Sequence, residues 1–274
     1  MAGRTPQRSG YQPTSDGPTT DPTVAWEQTV GSGYGFLVAS EDTVYVSTDR
    51  VSAYAAEDGA RRWSQSLPAN RTPEEVAALA ATALETTGRA IATRVDDAHA
   101  TAIRERLADE APEATVSWSE RSNYVVAHAP DYEAPELAAS VGVVTAGTSD
   151  AVPAGEAAMI VREMGAAVER VDDVGVASLV RVVDQLPVLR ERDVLIVAAG
   201  REGALPTVVA GLVDVPVIAL PVSTGYGHAG EGEAALSGML QSCTALSVVN
   251  VDAGFTAGTQ AGLIARQIDA AVDR

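Results

Sequence analysis

The chain has 274 residues and a formal net charge of −18, and every one of its 19 basic residues is arginine. That length can bury a sizeable core in one large or two small domains, and an acidic surface argues against nucleic acid or anionic membrane as partners. The single cysteine, Cys243, excludes an intrachain disulfide and fits a reducing compartment.

The acidic residues are spread along the chain, and the Lys-free, Ala- and Val-rich composition is that of a salt-adapted proteome. No charged-then-apolar leader opens the sequence and no apolar run reaches membrane length, so a soluble, cytoplasmic protein is expected. Residues 1–23, rich in Ser, Thr, Pro, Gly and Gln, are expected to be a disordered tail. Residues 24–67 read as short strands at Trp26–Val30, Tyr34–Ala39, Thr43–Ser47, Val51–Ala55 and Arg62–Gln65, separated by turns such as Glu41-Asp42 and Asp58-Gly59. The stretch resembles one repeat of a PQQ-type β-propeller, with its Asp-Gly turn and closing Trp63. One blade cannot bury its own faces. The segment is then either a hairpin layer packed on the next domain or a fragment of another gene fused to this one, and the second is favoured.

At Thr72 the pattern changes. Thr72 suits an N-cap, Pro73 the first helical position, and Glu75 the return arm of a capping box. A helix to about Thr87 is expected, stopped by Gly88, then a strand over Arg89–Arg94. Asp96 or Asp97 starts a second helix to about Asp109. Thr115–Ser119 and Tyr124–His128 read as strands around a Ser-Asn turn. This is a small α+β domain, 70–130, followed by a linker over Ala129–Pro135.

The remainder, 138–274, is regular. Strands are expected at Val141–Ala146, Ala167–Val171, Val194–Ala199, Val215–Pro221 and Ser247–Asp252. Helices are expected at Ala154–Met164, Val176–Leu189, Leu205–Val213, Glu233–Ser242 and Ala257–Val272. Val194–Ala199 and Val215–Pro221 are continuous apolar runs, which suit strands buried on both faces. The fold class is therefore α/β: a flavodoxin-like, doubly wound parallel sheet of order 2-1-3-4-5, switching between its first and third strands.

Ligands of such sheets sit at the carboxyl ends of the strands. The first strand ends in Gly147-Thr148-Ser149-Asp150, which offers a tight turn, two hydroxyls and a helix N-terminus to a phosphate or ribose; an ordinary helix cap reads the same way. The second ends in Asp172-Asp173, better suited to a cap than to a ligand. The third ends in Gly200-Arg201-Glu202, where a carboxylate beside an arginine suits proton transfer or a solvated ion pair equally. The fourth ends in Ser223–Gly227, with Gly225 and Tyr226; His228 just beyond is a possible acid or base, or inert. His99 reads as a surface helix residue and His128 as structural. No His, Cys or Glu cluster has metal-ligand spacing. A lone cysteine is usually a small buried hydrophobe. Cys243 follows a helix and so falls away from the sheet's carboxyl edge; a catalytic role for it requires the site of a neighbouring subunit.

Together these motifs carry a resemblance. GREGALPTVVAGLVDVPVIALP is similar to the segment around the third strand of the PurE-type aminoimidazole ribonucleotide (AIR) carboxylases and mutases, and AGTSD to their Gly-Ser-x-Ser-Asp phosphate loop. AGTSDAVPAGEAA, DVGVASLVR, AGREGALPTVVAGLVDVPVIALP, GYG, GMLQSC and SVVNVDAGF more closely resemble the pyridinium-3,5-biscarboxylic acid mononucleotide synthase (LarB) family of nickel-pincer nucleotide biosynthesis. GMLQSC separates that family from the purine enzymes. The likeness covers roughly residues 70–274.

What the resemblance implies is specific. The substrates are nicotinic acid adenine dinucleotide and carbon dioxide, with AMP and the dicarboxylated mononucleotide as products. The family's nucleophilic cysteine falls on Cys243 and its active-site glutamate on Glu202. Gly147, Thr148, Ser149, Asp150, Gly200, Gly225 and Tyr226 would hold the substrate, with Asp173 and Asp252 as further contacts. No organic cofactor is implied; magnesium would suit the phosphoanhydride step. The implied assembly is a homo-oligomer, tetramer or octamer, with sites shared between subunits. Two departures stand out. Thr256 replaces a Gly of the family's Gly-Phe-Gly-Ala-Gly run, and the propeller-like segment stands where the family carries an Arg-x-Gly-x-Pro-Glu-Val-like run. The alternatives are a PurE-type carboxylase or mutase, whose catalytic histidine has no counterpart at Ala204-Leu205-Pro206, and an inactive nucleotide-binding fusion protein.

Overall fold

The computed structural model describes residues 36–39, 43–47, 50–55, 60–66, 72–224 and 230–272. The chain divides into two compact units, 1–71 and 72–274. In the first, β1 (Phe36–Ala39), β2 (Thr43–Ser47), β3 (Arg50–Ala55) and β4 (Arg61–Ser66) form an antiparallel meander in sequence order. The strand expected at Trp26–Val30 lies outside the described residues.

The second unit opens as its local sequence dictates. The Thr72 hydroxyl accepts the Glu75 N–H at 3.3 Å, and the Glu75 carboxylate accepts the Thr72 N–H at 2.9 Å. This box starts helix α1 (Pro73–Thr87), and Gly88, at φ 72°, ends it in the left-handed conformation that glycine adopts without strain. Strand β5 (Arg89–Thr93) follows, then α2 (Asp97–Glu110), which Asp96 caps by accepting the His99 N–H. Strands β6 (Thr115–Ser119) and β7 (Tyr124–His128) turn through Asn123 at φ 54°. The sheet order is β5-β7-β6, and Ile103, Leu107, Leu84 and Val125 bury its helical side.

The parallel sheet holds β8 (Ser140–Thr145), β9 (Ala167–Val171), β10 (Val194–Ala199), β11 (Val217–Pro221) and β12 (Ser247–Val248) in the order β12-β11-β10-β8-β9. This is the expected doubly wound order. On one face Val141, Val143, Ile196 and Ile218 pack against α3 (Ala151–Glu163) and α7 (Gly254–Val272). On the other, Leu195, Val197 and Val217 pack against α4 (Leu179–Arg190), α5 (Ala204–Ala210) and α6 (Glu233–Leu240). Every residue of β10 and β11 is buried, which is why those runs do not alternate. Each large apolar side chain there contributes about 1.5–3 kcal/mol.

Two strands are shorter than their apolar runs. β11 starts at Val217 because Pro216 has no N–H to donate to the ladder, although its carbonyl accepts from Leu195. β12 ends at Val248; the chain turns, and Asp252 at φ 54° cannot extend a strand. No helix among the described residues is long and apolar enough to cross a membrane.

Helix α7 lies unusually close to α3. A Cβ on Gly258 would meet the Ala157 carbonyl at 2.6 Å, one on Gly262 the Met164 sulfur at 2.5 Å, and one on Gly254 the Pro153 carbonyl. Thr256 sits exposed on the first turn of α7, where a side chain is accommodated. The α+β part of the unit also docks on α3, and Ile160 and Met164 meet both it and α7. Val126 meets Met159 and Ile160, and His128 Nε2 lies 3.0 Å from Glu163. Tyr132 stacks on His128 with ring centroids 4.8 Å apart, and Arg89 donates to the Glu163 carbonyl.

The close approach of α7 gives a direct test. Gly258→Val drives a branched side chain into α3 and is expected to destabilise the fold by about 1–3 kcal/mol. Urea unfolding measures it; an unchanged midpoint would contradict the packing.

Candidate active site

The loops that follow the strands form a cleft at the carboxyl edge of the sheet. Its volume is about 630 Å³, and it opens between the ends of β8 and β10, where the strand order reverses. Gly147, Ser149 and Asp150 line one side, and Gly200, Arg201 and Glu202 the other. Val176, Ala177 and Leu205 supply an apolar wall, and Thr224 closes the rim.

Asp150 organises the first side. Its carboxylate accepts the Gly147 N–H at 2.8 Å and the Ser149 hydroxyl at 3.3 Å, and the residue is 2% exposed. Burial pushes its carboxyl above the usual range, against hydrogen bonding from Gly147, Ser149, Ala146 and Gly200. Gly200 must be glycine: a Cβ there would meet the Thr224 carbonyl at 2.5 Å. The Thr224 hydroxyl donates to the Ser149 carbonyl at 2.9 Å and so joins the loop after β11 to the loop after β8.

Arg201 and Glu202 are exposed on the opposite rim. Their closest approach is 4.0 Å, with both side chains more than half exposed, so the attraction between them is weak and screened. Glu202 is therefore an exposed carboxylate at the mouth of the cleft. Its backbone is more tightly placed. A Cβ on Gly238 would meet the Glu202 carbonyl and one on Gly203 the Ala235 carbonyl, so these glycines let α6 press on the loop.

Four non-glycine residues adopt left-handed backbone in the connections at this edge: Asp173 after β9, Arg201 after β10, Glu231 after β11 and Asp252 after β12, with φ of 61°, 51°, 57° and 54°. Such conformations cost about 1–3 kcal/mol each and concentrate at functional edges. Thr145, the last residue of β8 and 1% exposed, helps hold the first of them. Its hydroxyl donates to Asp172 at 3.1 Å and accepts the Asp173 N–H at 3.1 Å.

The structure brings only some of the sequence candidates together. Gly147, Ser149, Asp150, Gly200 and Glu202 line the cleft; Thr148 is exposed beside it. The Asp173 carboxylate is held outside the cleft by Arg181 at 2.7 Å. Asp252 accepts the Ser223 N–H at 2.9 Å and acts on the rim from behind. Gly225, Tyr226 and His228 lie outside the described residues. Cys243 is exposed beyond the far end of α6 and does not line the cleft. Its neighbour Thr244 reaches the Thr207 carbonyl of α5 at 3.4 Å. Among the described residues no group of three or more His, Cys, Asp or Glu could hold a metal ion. Thr145 and Thr224 escaped the sequence reading. A threonine ending a buried strand reads as core, and a hydroxyl that crosses to a loop 75 residues away leaves no local signal.

A doubly wound sheet with a cleft at its switch point places that cleft where open α/β sheets bind their ligands. Comparison narrows the class. Residues 140–274 match the AIR carboxylase family. An uncharacterized protein of Methanocaldococcus jannaschii is 38% identical over 191 residues, which span 67% of this chain and 71% of that protein. The crystal structure of a PurE2 variant from Treponema denticola aligns at 22% identity with a TM-score of 0.38, over 52% of this chain and 91% of that one. Residues 140–274 form an AIR carboxylase domain, which points to activity of the carboxylase and mutase type.

The state of Asp150 is open to measurement. Folded Asp150 keeps its proton to a higher pH than the unfolded chain does, so this residue makes stability fall as pH rises from the ordinary carboxylate value through the raised one. Asp150→Asn keeps an oxygen for the Gly147 N–H and is expected to remove that fall. Urea unfolding of both proteins across the acidic range reads the difference; parallel pH profiles would refute it.

Proposed function

We propose that the protein carboxylates the pyridinium ring of nicotinic acid adenine dinucleotide and cleaves its phosphoanhydride, giving AMP and pyridinium-3,5-biscarboxylic acid mononucleotide. The observation that carries this reading is the make-up of the cleft. Glu202 stands at its mouth, and Ala204 and Leu205 line it; by the resemblance, Ala204-Leu205-Pro206 stands in the loop where the purine carboxylases bear their catalytic histidine. The motif that ends in Cys243 supports the same reading, because the purine enzymes do not need that thiol.

The chemistry follows from an electron-poor ring. The Cys243 thiolate adds para to the ring nitrogen, forming a C–S bond and moving an electron pair onto the nitrogen. The ring becomes an enamine, nucleophilic at the free meta carbon, and attacks carbon dioxide. Loss of the proton at that carbon and expulsion of the thiolate restore aromaticity. Glu202 then directs water to the phosphoanhydride. Gly147, Thr148, Ser149 and Asp150 hold ribose and phosphate with Gly200, and the loop bearing Gly225 and Tyr226 completes the contacts. Asp173 and Asp252 act on the edge through Arg181 and Ser223.

Because Cys243 does not line its own chain's cleft, the reading requires the partner subunit's Cys243, hence a cytoplasmic homo-oligomer, tetramer or octamer. No organic cofactor enters the scheme. The donor set does not make a magnesium site: Asp150 is committed to Gly147 and Ser149, and Glu202, beside the Arg201 guanidinium, has no second carboxylate next to it among the described residues. No step is routed through that metal.

A second reading, AIR carboxylase or mutase activity, is favoured by the family match itself. One assay separates the two. Incubation with nicotinic acid adenine dinucleotide and bicarbonate is expected to release AMP and a heavier mononucleotide. Cys243→Ala should abolish turnover, and Glu202→Gln should lower it by ~10²–10⁴-fold. A Cys243→Ala variant with full activity would end the covalent scheme. Turnover of aminoimidazole ribonucleotide instead would establish the second reading, and tight dinucleotide binding without turnover a third, a non-catalytic binding protein.

A further inference from the structure

Arg94 lies in the connection between β5 and α2, far from the cleft in sequence, yet its guanidinium reaches the cleft's supporting frame. Nη2 donates to the Asp252 carbonyl at 2.8 Å. Nε lies 3.9 Å from Glu156, a carboxylate on α3 that is only 5% exposed and whose Oε1 has no hydrogen-bond partner. Both Arg94 and Asp252 hold left-handed backbone, at φ 57° and 54°. Two strained residues therefore face each other across the seam between the α+β part and the parallel sheet, joined by a charge-assisted hydrogen bond.

The chain of contacts continues to the rim. Asp252 donates its own N–H to the Pro221 carbonyl and accepts the Ser223 N–H on its carboxylate, both at 2.9 Å. The next residue, Thr224, lines the cleft and donates to Ser149 at 2.9 Å. The carbonyl that Arg94 holds thus belongs to the residue whose carboxylate fixes one edge of the site.

We propose that Arg94 is a positioning residue for the cleft, acting through Asp252 to set Ser223 and Thr224. The inference rests on the reading of the cleft as the substrate site. It gives the 72–130 segment a task in binding as well as in folding. The guanidinium is 68% exposed on its side chain, so its attraction to Glu156 is partly screened. The directed hydrogen bond to the Asp252 carbonyl is the element that transmits position.

The test uses the full chain with Arg94→Gln, Arg94→Lys and, as a control for lost charge, Arg104→Gln on the exposed face of α2. Two readouts need no turnover: amide exchange of the segment holding Ser223 and Thr224, and calorimetric affinity for nicotinic acid adenine dinucleotide. Arg94→Gln is expected to speed exchange there and to weaken affinity, each by about tenfold. Arg94→Lys, which still donates to a carbonyl, should recover most of both. Arg104→Gln should leave both unchanged. Unchanged exchange in Arg94→Gln overturns the proposal, as does faster exchange with unchanged affinity, which would mark a purely structural contact. If the wild type binds aminoimidazole ribonucleotide and not the dinucleotide, the synthase reading fails by itself, and the same comparison with that nucleotide decides the role of Arg94.

Discussion

The carboxylate of Asp150 is the point on which the cleft depends. It is buried, and it ties the turn after β8 together by accepting the Gly147 N–H and the Ser149 hydroxyl. Gly200 approaches it from the loop after β10, and Thr224 bridges to Ser149 from the loop after β11. The three connections that surround the switch point are thereby held by one short side chain and its neighbours. A buried charge is costly unless hydrogen-bonded, and here its bonds come from the backbone that must be shaped. The cost of burial and the shape of the cleft are consequences of the same placement.

Around that point, glycine serves close approach more than flexibility. Gly203 and Gly238 let α6 reach the loop of Glu202, and Gly175 lets its turn pass the Ala146 carbonyl. The result is a closely packed backbone at a rim whose polar side chains, Ser149, Arg201 and Glu202, stay exposed. Loops placed this way are set before any ligand arrives, while the charged side chains on them face solvent. The AIR carboxylase match spans residues 140–274 and so includes all of the parallel sheet that carries this edge.

The sequence disclosed the sheet almost completely, because strands buried on both faces leave unbroken apolar runs, as at Val194–Ala199. Capping chemistry disclosed α1 to the residue through Thr72, Pro73, Glu75 and Gly88. What it blurred were ends set by backbone rather than hydropathy: the start of β11, moved by Pro216, and the end of β12, moved by the left-handed Asp252. For the site, Asp150 and Glu202 were readable because a strand followed by a Gly-rich polar loop announces an edge. Thr145, Thr224 and Arg94 were not, since each acts through a partner distant in sequence. Asp173 was readable as polar and near the edge, but nothing local told that Arg181 would draw its carboxylate aside.

The near-contact of α7 with α3 has a bearing on how such a chain can change over time. Gly254, Gly258 and Gly262 leave no room on one helix, and Pro153, Ala157 and Met164 fill the space on the other. A substitution on either side is tolerated only when the facing position yields the same volume. Drift in this part of the molecule should therefore proceed by matched exchanges between the two helices, while the exposed acidic surface varies one residue at a time.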